Sequence, residues 1–260
     1  MLYIGGDSDR VREQLAANVQ HIYSNSDAFA AMTRDGRVVT WGDPVRGGNS
    51  DDVREQLAAG VQHIYSHKFG EAFAALKSDG VITWGNPKDG GNSDSVREQL
   101  GADVQHIYCG WSAFAAVKSN GGVVTWGHAQ LGGDSEGVRE QLAANVQHIY
   151  CSCEAFAALK SDGAVITWGA AGSGGDSSGV REQLAADVQT ICPNHMAFAA
   201  VKSDGSVILW GDDEKGGSVD AWRAAKLAAD VQHMFASGYA FTAVKSDGKV
   251  VWGDLVGVLP

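Results

Sequence analysis

Residues 146–169, VQHIYCSCEAFAALKSDGAVITWG, contain three short β-rich runs. The first covers 146–150, the second 155–160 and the third 164–168, with Asp162-Gly163 between the last two. Asp-Gly is a strong signal for a two-residue hairpin loop, because a type I′ turn needs positive φ at both central positions. The stretch therefore predicts at least a three-stranded antiparallel meander. It closes on Trp168-Gly169, and the same dipeptide stands at Trp41-Gly42, Trp84-Gly85, Trp126-Gly127, Trp210-Gly211 and Trp252-Gly253, with spacings of 43, 42, 42, 42 and 42 residues. A period in this range marks an array of supersecondary units that cannot bury their apolar faces alone. The chain is one unit copied six times, and the six tryptophans, each at the end of a strand, are expected to be buried framework.

Between one Trp-Gly and the next strand lie a Gly-Gly pair and a segment such as SDDVREQLAA at 50–59. Asp52 with Glu55, and Ser95 with Glu98, fit a capping box, and Val53 with Leu57 at i,i+4 gives one apolar face. The segment predicts a helix of one to two turns, too short to be stable unless Val and Leu pack on a sheet. The sixth copy departs, with Trp222 in place of the Val.

The remaining bounds describe one soluble body. No Pro/Ser-rich linker interrupts the repeats, so residues 1–260 read as a single domain. A net charge of -11 repels phosphate backbones and anionic lipid, which argues against nucleic acid as a partner. The start, MLYIGGDSDR, carries no basic leader, and no run approaches the ~20 apolar residues that span a bilayer. Cys109 and Cys151 fill a slot held by Ser24 and Ser66, and Cys192 falls where Tyr23 and its equivalents sit. These read as reduced fillers, which favours an intracellular compartment. Cys151-Ser-Cys153 lacks a second ligand cluster at metal spacing.

The pattern is similar to the repeat of the RCC1 family, best seen in residues 107–127, IYCGWSAFAAVKSNGGVVTWG, where Gly110 and Trp126-Gly127 fall on family positions. A His of the family's second strand is Ala113 here, and the usual GQLG segment is reduced to Gly-Gly. The resemblance implies an all-β, six-repeat RCC1-like β-propeller, each copy a meander plus a short helix. It also implies nucleotide exchange on a small GTPase, the founding member's activity, although the uniform period leaves no room for a long inserted wedge. The amino-terminal Gly5-Gly6 and the segment after it supply what the sixth copy lacks. A closed ring, with Gly5-Gly6 beside Trp252-Gly253, is therefore expected.

In such a meander the loop after strand one and the loop after Trp-Gly share one rim, and every Asp-Gly turn lies on the other. The first rim varies from copy to copy, while the second repeats Lys-Ser-Asp-Gly almost unchanged. Variable loops on a rigid scaffold are where binding resides. Phe69, Trp111 and Tyr239 are the expected aromatic anchors, with His67, Lys68, Glu71 and His195 as polar neighbours. His21, His63, His106, His148 and His233 share one strand position with Thr190. No carboxylate recurs beside them to orient the imidazoles, so they read as packing partners and no metal or other cofactor is expected. Arg12, Arg54, Arg97, Arg139, Arg181 and Arg223 read as a solvated or salt-bridged face. No GxSxG, HExxH or GxxxxGK(S/T) spacing occurs. The reading is a non-catalytic protein-interaction scaffold, a subunit of a larger assembly; a GTPase-exchange module and a glycan-binding propeller are the alternatives.

Overall fold

The computed structural model describes residues 8–16 and 18–252. The chain forms two compact units, which divide at Asp134/Ser135, with residues 120–122 belonging to the second. Each carries three sheets, and every sheet is a three-stranded antiparallel meander in chain order. In the first unit these are β1 (Val19–Ser24), β2 (Ala28–Thr33) and β3 (Val38–Gly42); β4 (Val61–Tyr65), β5 (Ala72–Lys77) and β6 (Gly80–Gly85); and β7 (Val104–Cys109), β8 (Ala113–Lys118) and β9 (Val123–Gly127). In the second they are β10 (Val146–Cys151), β11 (Ala155–Lys160) and β12 (Val165–Gly169); β13 (Val188–Pro193), β14 (Ala197–Lys202) and β15 (Val207–Gly211); and β16 (Val231–Ala236), β17 (Phe241–Lys245) and β18 (Val250–Trp252).

Within each unit the core lies between successive sheets. Along β5 the side chains alternate, as a period of two requires. Phe73 and Ala75 pack with Ala28, Ala30 and Met32 of the preceding sheet, while Ala72, Ala74 and Leu76 pack with Phe114 and Ala116 of the next. The second unit repeats this, Ala155, Ala157 and Leu159 meeting Phe198 and Ala200. A middle strand covered on both faces reads as a continuous apolar run, and its alanines let the sheets approach closely.

Outside the second copy, where Lys77 pairs with Gly80 across Ser78-Asp79, the Asp-Gly turns differ from the expected two-residue loops. Gly163 N donates to Lys160 O at 3.0 Å and Lys160 N to Ala164 O at 2.9 Å, so the loop is Ser161-Asp162-Gly163. Only the glycine has positive φ, +78°. This is a turn followed by a left-handed glycine, the three-residue hairpin form. The glycine has a second reason to be there. Val188 N donates to Gly163 O at 3.1 Å, and a Cβ on Gly163 would lie 2.7 Å from Asp187 N. The turn is therefore also the seam between adjacent copies. Lysine completes it: Lys77, Lys118, Lys160 and Lys202 donate to the carbonyls of Gln56, Gln99, Gln141 and Gln183 at 2.9 to 3.0 Å. Packing against the neighbour thus explains why Lys-Ser-Asp-Gly barely varies.

The segment after each Gly-Gly has the expected one to two turns, mostly in a tighter form. Its common form is a 3-10 turn such as Asp51–Val53, and among the described residues α-helix occurs at α1 (Arg12–Leu15), α2 (Arg97–Leu100) and α3 (Ala221–Lys226). The capping boxes expected at Asp52/Glu55 and Ser95/Glu98 do not form: Asp52 and Ser95 lie inside the 3-10 turns Asp51–Val53 and Asp94–Val96, and the residues at the N-cap, Ser50 and Ser93, make no side-chain cap bond. Asn49 Oδ1 and Asn92 Oδ1 instead accept from the amides of Asp51 and Asp94 at 2.8 Å. The apolar pair holds as expected: Leu57 N donates to Val53 O at 3.0 Å, and Leu57, Leu100, Leu142 and Leu184 are fully buried.

Trp84, Trp126, Trp168 and Trp210 are buried, and Trp41 is half-buried. Each of these rings stacks on the phenylalanine opposite it, at 5.2 to 5.3 Å between centroids. The indole N–H of Trp84, Trp126 and Trp210 donates to the carbonyl of Gly47, Gly90 and Gly174, in the turn of the preceding copy, at 3.0 to 3.1 Å. The Gly-Gly turn and the tryptophan are therefore one device. The sixth copy is a correction to the uniform reading: Trp252 pairs with Thr242, not with Phe241. In the other copies that register position belongs to Thr40, Thr83, Thr125, Thr167 or Leu209. The Trp252 side chain, and the expected closure of Gly5-Gly6 onto Trp252-Gly253, lie outside the described residues.

Candidate functional site: aromatic clusters on the variable rim

The loop between β4 and β5 is the longest of its kind, residues 66–71 where 25–27 separate β1 from β2. Gly70 N closes it on His67 O at 2.9 Å, and Gly70 O accepts from Ser26 Oγ at 3.0 Å. This holds Phe69 out at 50% exposure. Its ring meets Trp111 edge-on at 5.7 Å between centroids, and His67 lies 5.9 Å from Phe69 and 6.4 Å from Trp111. Lys68 Nζ stands 4.7 Å from the centre of the Phe69 ring, within cation–π range. Four of the expected rim residues, His67, Lys68, Phe69 and Trp111, thus form one cluster. Trp111 Nε1 is buried without a hydrogen-bond partner.

Glu71 takes a different part. It accepts from Asn86 Nδ2 at 2.8 Å and pairs with Arg46 Nε at 3.3 Å. Arg46 also reaches Asp27 Oδ2 at 2.7 Å. Arg46 was not singled out from sequence, since its partners lie far away along the chain. Hydrogen bonding from Ser26, then the Arg46 guanidinium, holds the Asp27 carboxyl below the usual carboxylate range. Asn25 ties the same loops together: its Nδ2 donates to Arg46 O at 2.7 Å, and its Oδ1 accepts from the amides of Asp27 and Ala28. The variable rim is therefore rigidly mounted, and Glu71 belongs to the mounting.

The second unit carries a related cluster. His195 meets Tyr239 edge-on at 5.2 Å between centroids, and Lys215 Nζ lies 5.0 Å from the Tyr239 ring centre. Tyr239 is 48% exposed. Asn194 repeats the role of Asn25, donating to Lys215 O at 2.6 Å and accepting from Met196 and Ala197. Lys215 is a functional candidate that the sequence comparison passed over, because it sits in the turn after Trp210-Gly211 rather than beside the aromatic.

The repeated histidines are not the packing partners expected. His21, His63, His106, His148 and His233 are exposed on their first strands. The rings of His21, His63, His148 and His233 pair along the strand with Tyr23, Tyr65, Tyr150 and Phe235, at 4.5 to 6.4 Å. Tyr23 OH also reaches His63 Nδ1 of the next copy at 3.3 Å. Although His63 is exposed overall, its ring lies against Tyr23 and Tyr65, and this partial desolvation, then the neighbouring His21, lowers the His63 pKa below the ordinary imidazole value. Four of the six repeated arginines form the expected surface pairs, Arg12 with Asp9, Arg54 with Asp51, Arg97 with Asp94 and Arg139 with Glu136, and the Arg223 side chain lies outside the described residues. All four cysteines are free thiols. Burial pushes the Cys109 thiol up to about 12, which leaves it without thiolate at neutral pH.

No protein-family profile matches the chain. No curated protein sequence matches it either. Among solved structures it is similar to Prp20p from Saccharomyces cerevisiae, at 14% identity and a TM-score of 0.50, over 92% of this chain and 72% of that one. Yeast RCC1 (Prp20), in its structure bound to Kap60, gives 14% identity and a TM-score of 0.50 over 92% and 70%. Human WBSCR16 gives 18% identity and a TM-score of 0.45 over 74% and 61%. Six three-stranded antiparallel sheets in chain order, with this likeness, give the chain the fold of an RCC1-like β-propeller.

Proposed function

We propose that this chain is a non-catalytic protein-interaction module, a divergent relative of the RCC1 repeat family that binds through its variable rim and serves inside a larger intracellular assembly. One observation carries the reading: half-exposed Phe69 and Tyr239, each with a histidine beside it and a lysine over its face, stand on loops tied to their neighbours, the first by Ser26 and Arg46 and the second by His195 N donating to Gly238 O. Exposed aromatic anchors on a rigid frame bind with little loss of conformational entropy. The fold neighbours support it by analogy alone: Prp20p is described with its binding to Gsp1p and histones, and yeast RCC1 with Kap60. Exchange on a small GTPase is the second reading, favoured by the same neighbours.

Affinity capture from native extract with wild type, Phe69→Ser and Tyr239→Ser, read by quantitative mass spectrometry, separates the readings. A stable set of proteins lost from either variant supports the interaction module. A single GTPase whose nucleotide release the chain accelerates moves the assignment to exchange. Retention on a glycan column with no protein captured points to carbohydrate. A protein set unchanged by both substitutions refutes the rim as the binding surface.

A further inference from the structure

The lysine ammonium groups divide by rim. On the side of the Asp-Gly turns Lys77, Lys118, Lys160, Lys202 and Lys245 donate to backbone carbonyls, and Lys249 pairs with Asp247. Among the described residues, the lysines whose ammonium meets neither a carboxylate nor a carbonyl are Lys68, Lys88 and Lys215, all on the variable rim. In the first unit the nearby carboxylates are engaged. Asp27 holds Ser26 and Arg46, Glu71 holds Arg46 and Asn86, Asp89 accepts from Asn86 Nδ2, and Asp43 caps its turn by accepting from the amides of Val45 and Arg46. The loops that carry Lys88 and Phe69 are joined by this network, since Asn86, two residues before Lys88, bonds Glu71, two residues after Phe69, through both its backbone and its side chain. A chain of net charge -11 thus presents, on the loop of its exposed Phe69 and on the turn joined to it, ammonium groups that no carboxylate among the described residues pairs with.

We propose that this part of the rim receives an acidic segment of a partner protein that carries an aromatic or branched aliphatic side chain. The apolar side chain covers Phe69 against Trp111, and flanking carboxylates meet Lys68 and Lys88. The inference rests on the interaction reading above and adds the chemistry of the partner. A basic segment would place like charges beside Lys68 and Lys88, whereas an acidic one gains attraction there without breaking an existing ion pair. The apolar contact strengthens that attraction by excluding water from the ion pairs.

The test is a selection of random linear peptides displayed on their own messenger RNA against the full chain, with the best binder measured by fluorescence anisotropy. Enriched peptides are expected to be net negative, each with at least one Phe, Trp, Leu or Ile. Affinity should fall roughly tenfold in Lys68→Glu/Lys88→Glu, fall again as salt is raised, and be lost in Phe69→Ser. Lys249→Glu on the opposite rim, which also alters the net charge, should leave it unchanged. Melting temperatures within a degree or so of wild type establish that the surface variants are folded. Neutral or basic peptides that depend on Phe69 overturn the acidic partner and leave the interaction reading standing. Acidic peptides indifferent to the double reversal overturn the proposal as well. No enrichment that depends on Phe69 overturns both.

Discussion

Replacing Trp126 by alanine empties one of the slots that join adjacent copies. The ring is 2% exposed, lies 5.3 Å from the Phe114 ring in a stacked pair, and donates its indole N–H to Gly90 O at 3.1 Å. Truncating a buried aromatic to alanine costs about 3 to 5 kcal/mol, the transfer of the ring plus the cavity left behind. Stacking accounts for roughly 0.5 to 1.5 kcal/mol beyond area, and the lost bond leaves a carbonyl unsatisfied at roughly 1 kcal/mol or more. Trp126→Phe separates these, since it keeps a ring over Phe114 and deletes the donor; it should cost about 1 to 3 kcal/mol. Trp41→Ala, at a half-buried site, should cost less than Trp126→Ala. Urea unfolding followed by far-UV circular dichroism gives the three differences, provided the m-values match. A Trp126→Ala cost below ~1 kcal/mol, or one equal to that of Trp126→Phe, would refute the packing argument.

At the seam between copies, Gly205→Ala should destabilise by at least about 1 to 2 kcal/mol, because φ is +75° and the new Cβ would stand 2.6 Å from Asp230 N; an unchanged urea midpoint counts against it. Asp187, a non-glycine at φ +65°, should accept glycine at no cost or with a gain of a few tenths of a kcal/mol, and a lower melting temperature for Asp187→Gly would mean that its side chain matters more than its backbone. His63 has a lowered pKa in the fold, so between the folded and unfolded values the unfolded chain binds more protons. Its contribution is complete above about pH 6.5 and declines as pH falls toward the folded value, and His63→Gln should flatten that part of the stability profile; a variant profile parallel to wild type shows the imidazole uninvolved. Inserting a threonine between Val251 and Trp252 should put Phe241 opposite the tryptophan and raise stability by roughly 0.5 to 1.5 kcal/mol, whereas no gain would show that the sixth copy has no vacant stacking partner to use.

What the sequence disclosed depended on whether one position or a distant pair carried the information. Repetition exposed the strands, the tryptophan slots and the Val-Leu contact, because each recurs at a fixed place in every copy. Variation exposed Phe69, Trp111, His195 and Tyr239 for the complementary reason. Arg46 and Lys215 stayed hidden because they act on residues that folding brings close, Arg46 on Asp27 and Glu71 and Lys215 on Tyr239. The capping boxes failed because the turns begin ahead of Asp52 and Ser95, at Asp51 and Asp94, whose amides Asn49 and Asn92 hold. Strand length needed geometry too. The second and sixth copies are each one residue short between Asp-Gly and Trp-Gly, and that shared deficit does not say where the missing residue is taken from. In the second copy the hairpin absorbs the loss: Lys77 pairs with Gly80 across a two-residue loop, and Trp84 keeps its place opposite Phe73. In the sixth the three-residue loop survives, with Lys245 N still bonded to Lys249 O at 2.9 Å. The missing residue then comes out of β18, and a one-residue slip moves a side chain to the other face of its strand. A shared dipeptide therefore identifies a shared slot only when the turn before it has the length that the register demands.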